Sequence, residues 1–295
     1  MNEAAARPDV ALLAESRRLA RRFERAARRV RWQSDSEGIH DTRVSGRRLE
    51  AALDLLRGLV PARARRRARR AVRAIRRALG PARECQVNAA LLAQRLHAPA
   101  TPAPPATASL LARLERRRVR RERRAASACS RARVARAMRR LRRALDSRAT
   151  REPEFLAAEW LAGARRRAEA RSSVAWSVLR GALASGDDDA LHQARIAIKR
   201  ARYSLERLAA SEGTADASAL ERLIAVQELL GLRHDRNLAR DLVLRAAERL
   251  QFSQAEAARW LRDLARQLGQ EADEAVEGLR RIVEPDASEP ARANP

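Results

Sequence analysis

The stretch His40-Asp41-Thr42-Arg43-Val44-Ser45-Gly46-Arg47-Arg48 returns 152 positions later as His192-Gln193-Ala194-Arg195-Ile196-Ala197-Ile198-Lys199-Arg200. In each copy an imidazole is followed at i+3 and i+7 by a cation. A second pair, Leu79-Gly80 and Leu230-Gly231, follows in the same order at an offset of 151. Two motifs recurring in order at nearly the same spacing point to an internal duplication, with halves near 1–150 and 151–295.

The spacing is helical. At 100° per residue, His40, Arg43 and Arg47 fall within an arc of about 60°. Leu49, Ala52, Leu53 and Leu56 fall on the opposite side, which assigns that side to a core and turns the basic face outward or into a polar cavity. His192, Arg195 and Lys199 repeat the arc, with Tyr203 extending it and Arg202 beside it.

Composition agrees with helices throughout. Of the 295 residues 45% are hydrophobic but only 3% aromatic, and Ala and Leu supply most of the apolar material. That is a helical alphabet with little for strands, so an all-α fold is expected. Periodicity, Pro, Gly and Asp clusters predict helices at 4–32, 38–58, 62–79, 83–96, 109–146, 153–184, 188–210, 216–230, 234–250 and 254–283. Leu79-Gly80-Pro81 reads as a stop with Gly80 in a left-handed cap, and Leu230-Gly231 as a second stop. Asp187 to Asp189 places negative charge at a helix start. Residues 98–108 read as a Pro-rich linker. Trp32, Trp160, Trp176 and Trp260 read as core or helix-end packing.

Sixty-three basic against 37 acidic side chains leave a net charge of +26, and Lys199 is the one lysine. The longest apolar runs are far below the roughly 18 residues a membrane span needs, and Val10 to Ala14 is too short for a signal peptide. The expectation is therefore a whole chain that is cytoplasmic and does not enter membranes. Cys85 and Cys129 form no Cys-x-x-Cys motif and fit a reducing compartment.

A face of guanidinium, imidazole and ammonium suits an anion carrying several charges. Arg grips phosphate oxygens in bidentate fashion, Lys adds a point charge, and protonated His donates two hydrogen bonds. Binding such a polymer releases counterions and weakens steeply with salt.

The sequence resembles the CHAD domains (conserved histidine α-helical domains). The resemblance rests on Ile39 to Leu49, on Leu191 to Tyr203, and on Leu79-Gly80-Pro81-Ala82-Arg83-Glu84 with Leu230-Gly231-Leu232-Arg233-His234-Asp235. It implies two tandem bundles of about five helices each, related by a pseudo-twofold axis, with a basic cleft or pore between them. It also implies binding of inorganic polyphosphate with no reaction, no catalytic residue and no metal or other cofactor. Carried over, the ligand-facing residues are His40, Arg43, Arg47 and Arg48, then His192, Arg195, Lys199, Arg200, Arg202 and Tyr203. Arg83, Glu84, His234 and Asp235 are expected as buried ion pairs orienting that face. They stand where such domains often carry Arg-Asp-x-Asp, and Thr42 and Ala194 stand where a larger apolar residue is usual. Association with polyphosphate granules or polyphosphate-metabolising enzymes follows as an expectation.

Nucleic-acid binding is the rival, since a sequence pI of about 11.7 is its usual electrostatic footprint. Against it, Phe23, Phe155, Phe252, Tyr203 and the tryptophans are scattered rather than interleaved with the basic motif. His40-Asp41 and His234-Asp235 superficially resemble metal-dependent phosphohydrolases of the HD type, but Asp41 becomes Gln193 in the repeat. No Gly-rich phosphate loop or His-Glu-x-x-His motif is present. The basic segment Arg113 to Arg143 lacks the aromatic anchors of a membrane-surface helix.

Overall fold

A computed structural model describes residues 7–33, 36–97, 103–146, 155–212 and 217–283. Every long element among them is a helix: α1 (Pro8–Gln33), α2 (Ser36–Leu55), α3 (Ala62–Ala78), α4 (Gly80–Leu96), α5 (Ala108–Ala128), α6 (Arg131–Asp146), α7 (Phe155–Ser185), α8 (Asp188–Glu212), α9 (Ala217–Leu250) and α10 (Ala255–Val283). No strand occurs among the described residues, and one 3-10 turn, Pro105–Thr107, precedes α5. The fold is all-α, as the Ala-Leu-Arg alphabet predicts.

Two divisions between helices differ from the sequence reading. The segment 109–146 is two helices, because the chain turns at Cys129 and Ser130, where Ser130 N–H bonds back to the Ser127 carbonyl. Residues 216–230 and 234–250 are instead one helix, α9, running through Gly231. A single glycine inside a helix costs roughly 1 kcal/mol relative to Ala, which the packing of a long helix readily offsets.

The chain forms two compact units. The first comprises Met1–Ala90, Ala112–Arg171 and Arg200–Asp216; the second comprises Leu91–Leu111, Ser172–Lys199 and Ala217–Pro295. They do not coincide with the sequence halves divided near residue 150. Helices α7 and α8, at 31 and 25 residues, each give one end to either unit.

In the first unit α1 packs on α2, α2 on α3, and α3 on α6. Phe23, Val30, Ile39, Leu49, Leu53, Leu56, Val72 and Leu141 are fully buried in one cluster. At about 25 cal/mol per Å² of apolar area, burial of each such side chain is worth roughly 1.5–3 kcal/mol. In the second unit α9 packs on α10. Leu261, Leu264, Leu268, Ala272, Ala275 and Leu279 line the buried stripe of α10, and Leu229 closes on Gly278, where a β carbon would meet its Cδ1 at 3.1 Å.

Candidate functional site

The rotation of α2 is set by close packing on two sides. A β carbon at Gly38 would sit 3.1 Å from Arg29 Cβ and 3.2 Å from Val30 N, and one at Gly46 would sit 3.4 Å from both Phe23 and Arg76. At the far end, the Leu55 carbonyl, which no helical N–H can reach, accepts from Trp160 Nε1 at 2.9 Å and Arg167 Nη2 at 3.2 Å. Leu49, Ala52, Leu53 and Leu56 are wholly buried, as their spacing predicts. The opposite arc therefore faces away from the core, with His40 exposed and Arg43 and Arg47 half-buried.

Arg43 is held by the α3–α4 junction. Its Nη1 donates to the carbonyl oxygen of Arg76 at 3.2 Å, at the C-terminal end of α3. A β carbon on Gly80 would lie 3.2 Å from the same nitrogen. This corrects the cap reading of Gly80. Leu79 ends α3 in a right-handed conformation (φ −84°, ψ −7°), and Gly80 opens α4 without positive φ. Its missing side chain leaves space for a guanidinium rather than a backbone turn.

One turn into α4, Arg83 faces His40. Partial burial, then the charges of Arg83, Arg47 and Arg43, hold the His40 imidazole below its ordinary 6.5, with Asp41 acting the other way. The expected buried ion pairs of Arg83 and Glu84 are not seen: Glu84 is exposed, and no ion pair of Arg83 occurs among the described residues. Arg83 is a member of the basic face rather than its support.

The second copy is built differently around the same three residues. Asp187 Oδ2 caps α8 by accepting from Ala190 N–H at 2.7 Å. Leu191, Ala194 and Ile198 are buried, leaving His192 exposed and Arg195 and Lys199 half-buried. His234 on α9 stacks obliquely on His192, ring centroids 5.5 Å apart. Burial, then the charges of Arg195, His192, Lys199 and Arg233, push His234 down to about 4. His234, expected among buried ion pairs that orient the face, instead stacks against His192 within the basic face itself, with Asp235 half-buried next to it in sequence. A cavity of about 210 Å³ opens here, lined by His192, Arg195, Arg233 and His234 together with Asp188 and Asp241. Arg233 is ion-paired to Asp188.

Arg83 and His234 were the residues the motif reading misplaced, and a signal for them was present. Both stand four residues after the leucine of their Leu-Gly pair, 151 positions apart. They are equivalent positions of the duplication, each carrying a basic side chain beside the histidine of its half.

Other carried-over residues lie elsewhere. Arg48 points to the α1 side of α2, where its Nη2 bonds Glu206 Oε1 at 3.0 Å. It also lines a groove of about 270 Å³ with Arg22, Arg25, Arg29 and Asp41, a basic surface the motif reading missed. Arg200 is exposed. Arg202 stacks over the Tyr203 ring at 5.0 Å and approaches Glu206 at 4.0 Å. Tyr203 is only 6% exposed, lies in the part of α8 that belongs to the first unit, and offers a ligand almost no surface. Among the tryptophans Trp160 is buried, whereas Trp32 is 75% exposed beneath the guanidinium of Arg31 at 4.6 Å.

The CHAD domain profile matches residues 11–244, and the chain belongs to the CHAD domain family. Two solved structures share its fold. A CHAD domain from the plant Ricinus communis aligns at a TM-score of 0.63 and 22% identity, covering 96% of this chain and 93% of that one. PptA from Streptomyces chartreusis aligns at a TM-score of 0.67 and 20% identity, covering 93% and 98%. A search of curated proteins gives no match. No helix among the described residues is long and apolar enough to cross a membrane.

Proposed function

We propose that the chain binds inorganic polyphosphate without transforming it. The observation that carries this reading is the gathering, in each copy of the duplicated motif, of an exposed histidine with several cations from two helices: His40 with Arg43, Arg47 and Arg83, and His192 with Arg195, Lys199 and the Asp188-paired Arg233, beside the neutral His234. Like charges brought together repel and burial disfavours their ionised forms, so a bound polyanion is favoured at such faces. A polyphosphate chain offers negative oxygens at close, regular spacing and asks for no base readout. The family relation supports the same ligand class. Association with polyphosphate granules, or with enzymes that act on the polymer, belongs to the same proposal.

Competition separates this from the nucleic-acid reading. Labelled polyphosphate bound at fixed, near-physiological salt is challenged with unlabelled polyphosphate, single-stranded DNA and duplex DNA at equal charge. Polyphosphate displaces the label at the lowest concentration if the proposal holds. Equal or better displacement by either nucleic acid assigns the basic faces to nucleic acid instead.

A further inference from the structure

Positive charge is spread unevenly over the helices in a way genome composition does not explain. Helix α3 carries nine arginines and no acid in 17 residues, and α6 carries seven arginines with a single acid in 16. Helix α10, subject to the same codon bias, carries five arginines against six acids. A bias toward arginine codons would raise both alike; it does not remove acids from two packed helices.

Helices α3 and α6 pack together through Ala68, Val72, Ile75, Val134, Met138 and Leu141. On α3, Arg65 and Arg69 are spent on Asp54 and Arg76 on Glu50. The outward residues Arg63, Arg66, Arg67, Arg70 and Arg77 are exposed and make no ion pair among the described residues, and the same holds for all seven arginines of α6. The one acid of α6, Asp146, sits at its last position and pairs with Arg17. So many unneutralised guanidiniums on adjacent faces repel one another and raise the local potential by several kT.

We infer that the outer face of α3 and α6 is a second anion-binding surface, which takes the length of a long polyphosphate chain lying beyond the His40 face of the same unit. The inference rests on the polyphosphate reading above and deepens it by assigning a preference for long chains. The two helices hold no aromatic side chain and no Asn, Gln, Ser or Thr, so they offer neither a stacking platform nor base-edge readout. What remains is charge at short intervals along about 24 Å of α6, at 1.5 Å rise per residue. That fits a uniform linear polyanion.

Tripolyphosphate and long-chain polyphosphate are titrated into the wild-type protein and into a variant with Arg133→Gln, Arg136→Gln, Arg140→Gln and Arg143→Gln. Arg63→Gln with Arg66→Gln and Arg70→Gln on α3 serves as an independent variant, and circular dichroism verifies that both fold. In each variant tripolyphosphate affinity stays within about twofold, while long-chain affinity falls on the order of tenfold. The α6 variant also loses about 3 from its slope of log affinity against log salt, at about 0.7 per phosphate contact on a single strand. An unchanged ratio of long-chain to tripolyphosphate affinity in both variants overturns the inference. So does a larger loss of duplex DNA than of long-chain polyphosphate, which would make nucleic acid the occupant. The underlying reading is tested separately by Arg43→Gln with Arg47→Gln. If that variant binds tripolyphosphate as wild type does, the duplicated face is not the site, whatever the α6 result.

Discussion

Arg43 Nη1 donates to the backbone carbonyl of Arg76 at 3.2 Å, beside the glycine that opens the next helix, where a β carbon would lie 3.2 Å from the same nitrogen. The guanidinium thus supplies a donor to the end of α3 from the side of the basic face. Gly80→Ala places a methyl group 3.2 Å from that nitrogen, and the flexible end of Arg43 must give way. Because Ala is the better helix former by up to about 1 kcal/mol, the variant is expected to melt no lower than wild type. Its polyphosphate affinity is expected to fall about two- to fivefold, through loss of charge-assisted contacts worth about 1 kcal/mol at a partly exposed site. Thermal melts and titration together check the split. Unchanged affinity would mean that the position of Arg43 does not matter to binding.

Gly231, its counterpart in the duplication, has nothing within 4 Å of a built β carbon and lies inside α9. Gly231→Ala is therefore expected to raise stability by about 0.5–1 kcal/mol, read as a higher melting temperature, without changing affinity. One motif thus does different work in its two copies.

That difference marks how far the sequence was legible. The helices, the buried side of α2 and the His-x-x-Arg arc follow from 3.6-residue periodicity, which depends on neighbours along one helix. The roles of Gly80, Arg83 and His234 depend on which helix lies opposite. A Leu-Gly-Pro string looks the same whether the glycine turns the backbone or clears room for an arginine. Tyr203 shows the same limit: about three turns beyond His192, and one beyond Lys199, α8 has passed into the other unit, where Tyr203 is buried.

Arg48 and Arg47 are adjacent in sequence and separate in role. Arg48 holds Glu206, which also has Arg207 at 3.3 Å. Arg48→Ala is expected to cost up to about 1 kcal/mol of stability, as for a partly exposed pair with a remaining partner, and to change tripolyphosphate affinity less than twofold. Arg47→Ala is expected to do the reverse. Denaturant melts and titration of both variants check this.

The histidines predict opposite pH effects on folding and on binding. His40 and His234 are held below 6.5 in the folded chain, His234 at about 4, so the unfolded chain binds more protons between about pH 4 and 6.5. Their contribution to stability is present above 6.5 and is lost as pH falls toward 4. A bound polyanion favours their protonation, so affinity rises over the same interval and binding takes up protons. Arg195, Lys199 and Arg233 face His234 beside His192, while Asp188, Asp189 and Asp241 line the same cavity and Asp235 is its neighbour in sequence; the cations outweigh the acids in holding its pKa down. Calorimetry in buffers of different ionisation enthalpy counts the protons. His40→Gln with His234→Gln is expected to flatten both profiles.

The most direct measurement is titration of polyphosphate, at fixed near-physiological salt, into wild type and a variant with Arg43→Gln, Arg47→Gln, Arg195→Gln and Lys199→Gln. With helicity and melting behaviour retained, affinity is expected to fall on the order of a hundredfold, or about 2.8 kcal/mol. A folded variant that binds polyphosphate as tightly as wild type would contradict the account, because the duplicated basic faces would then not be where the polymer binds.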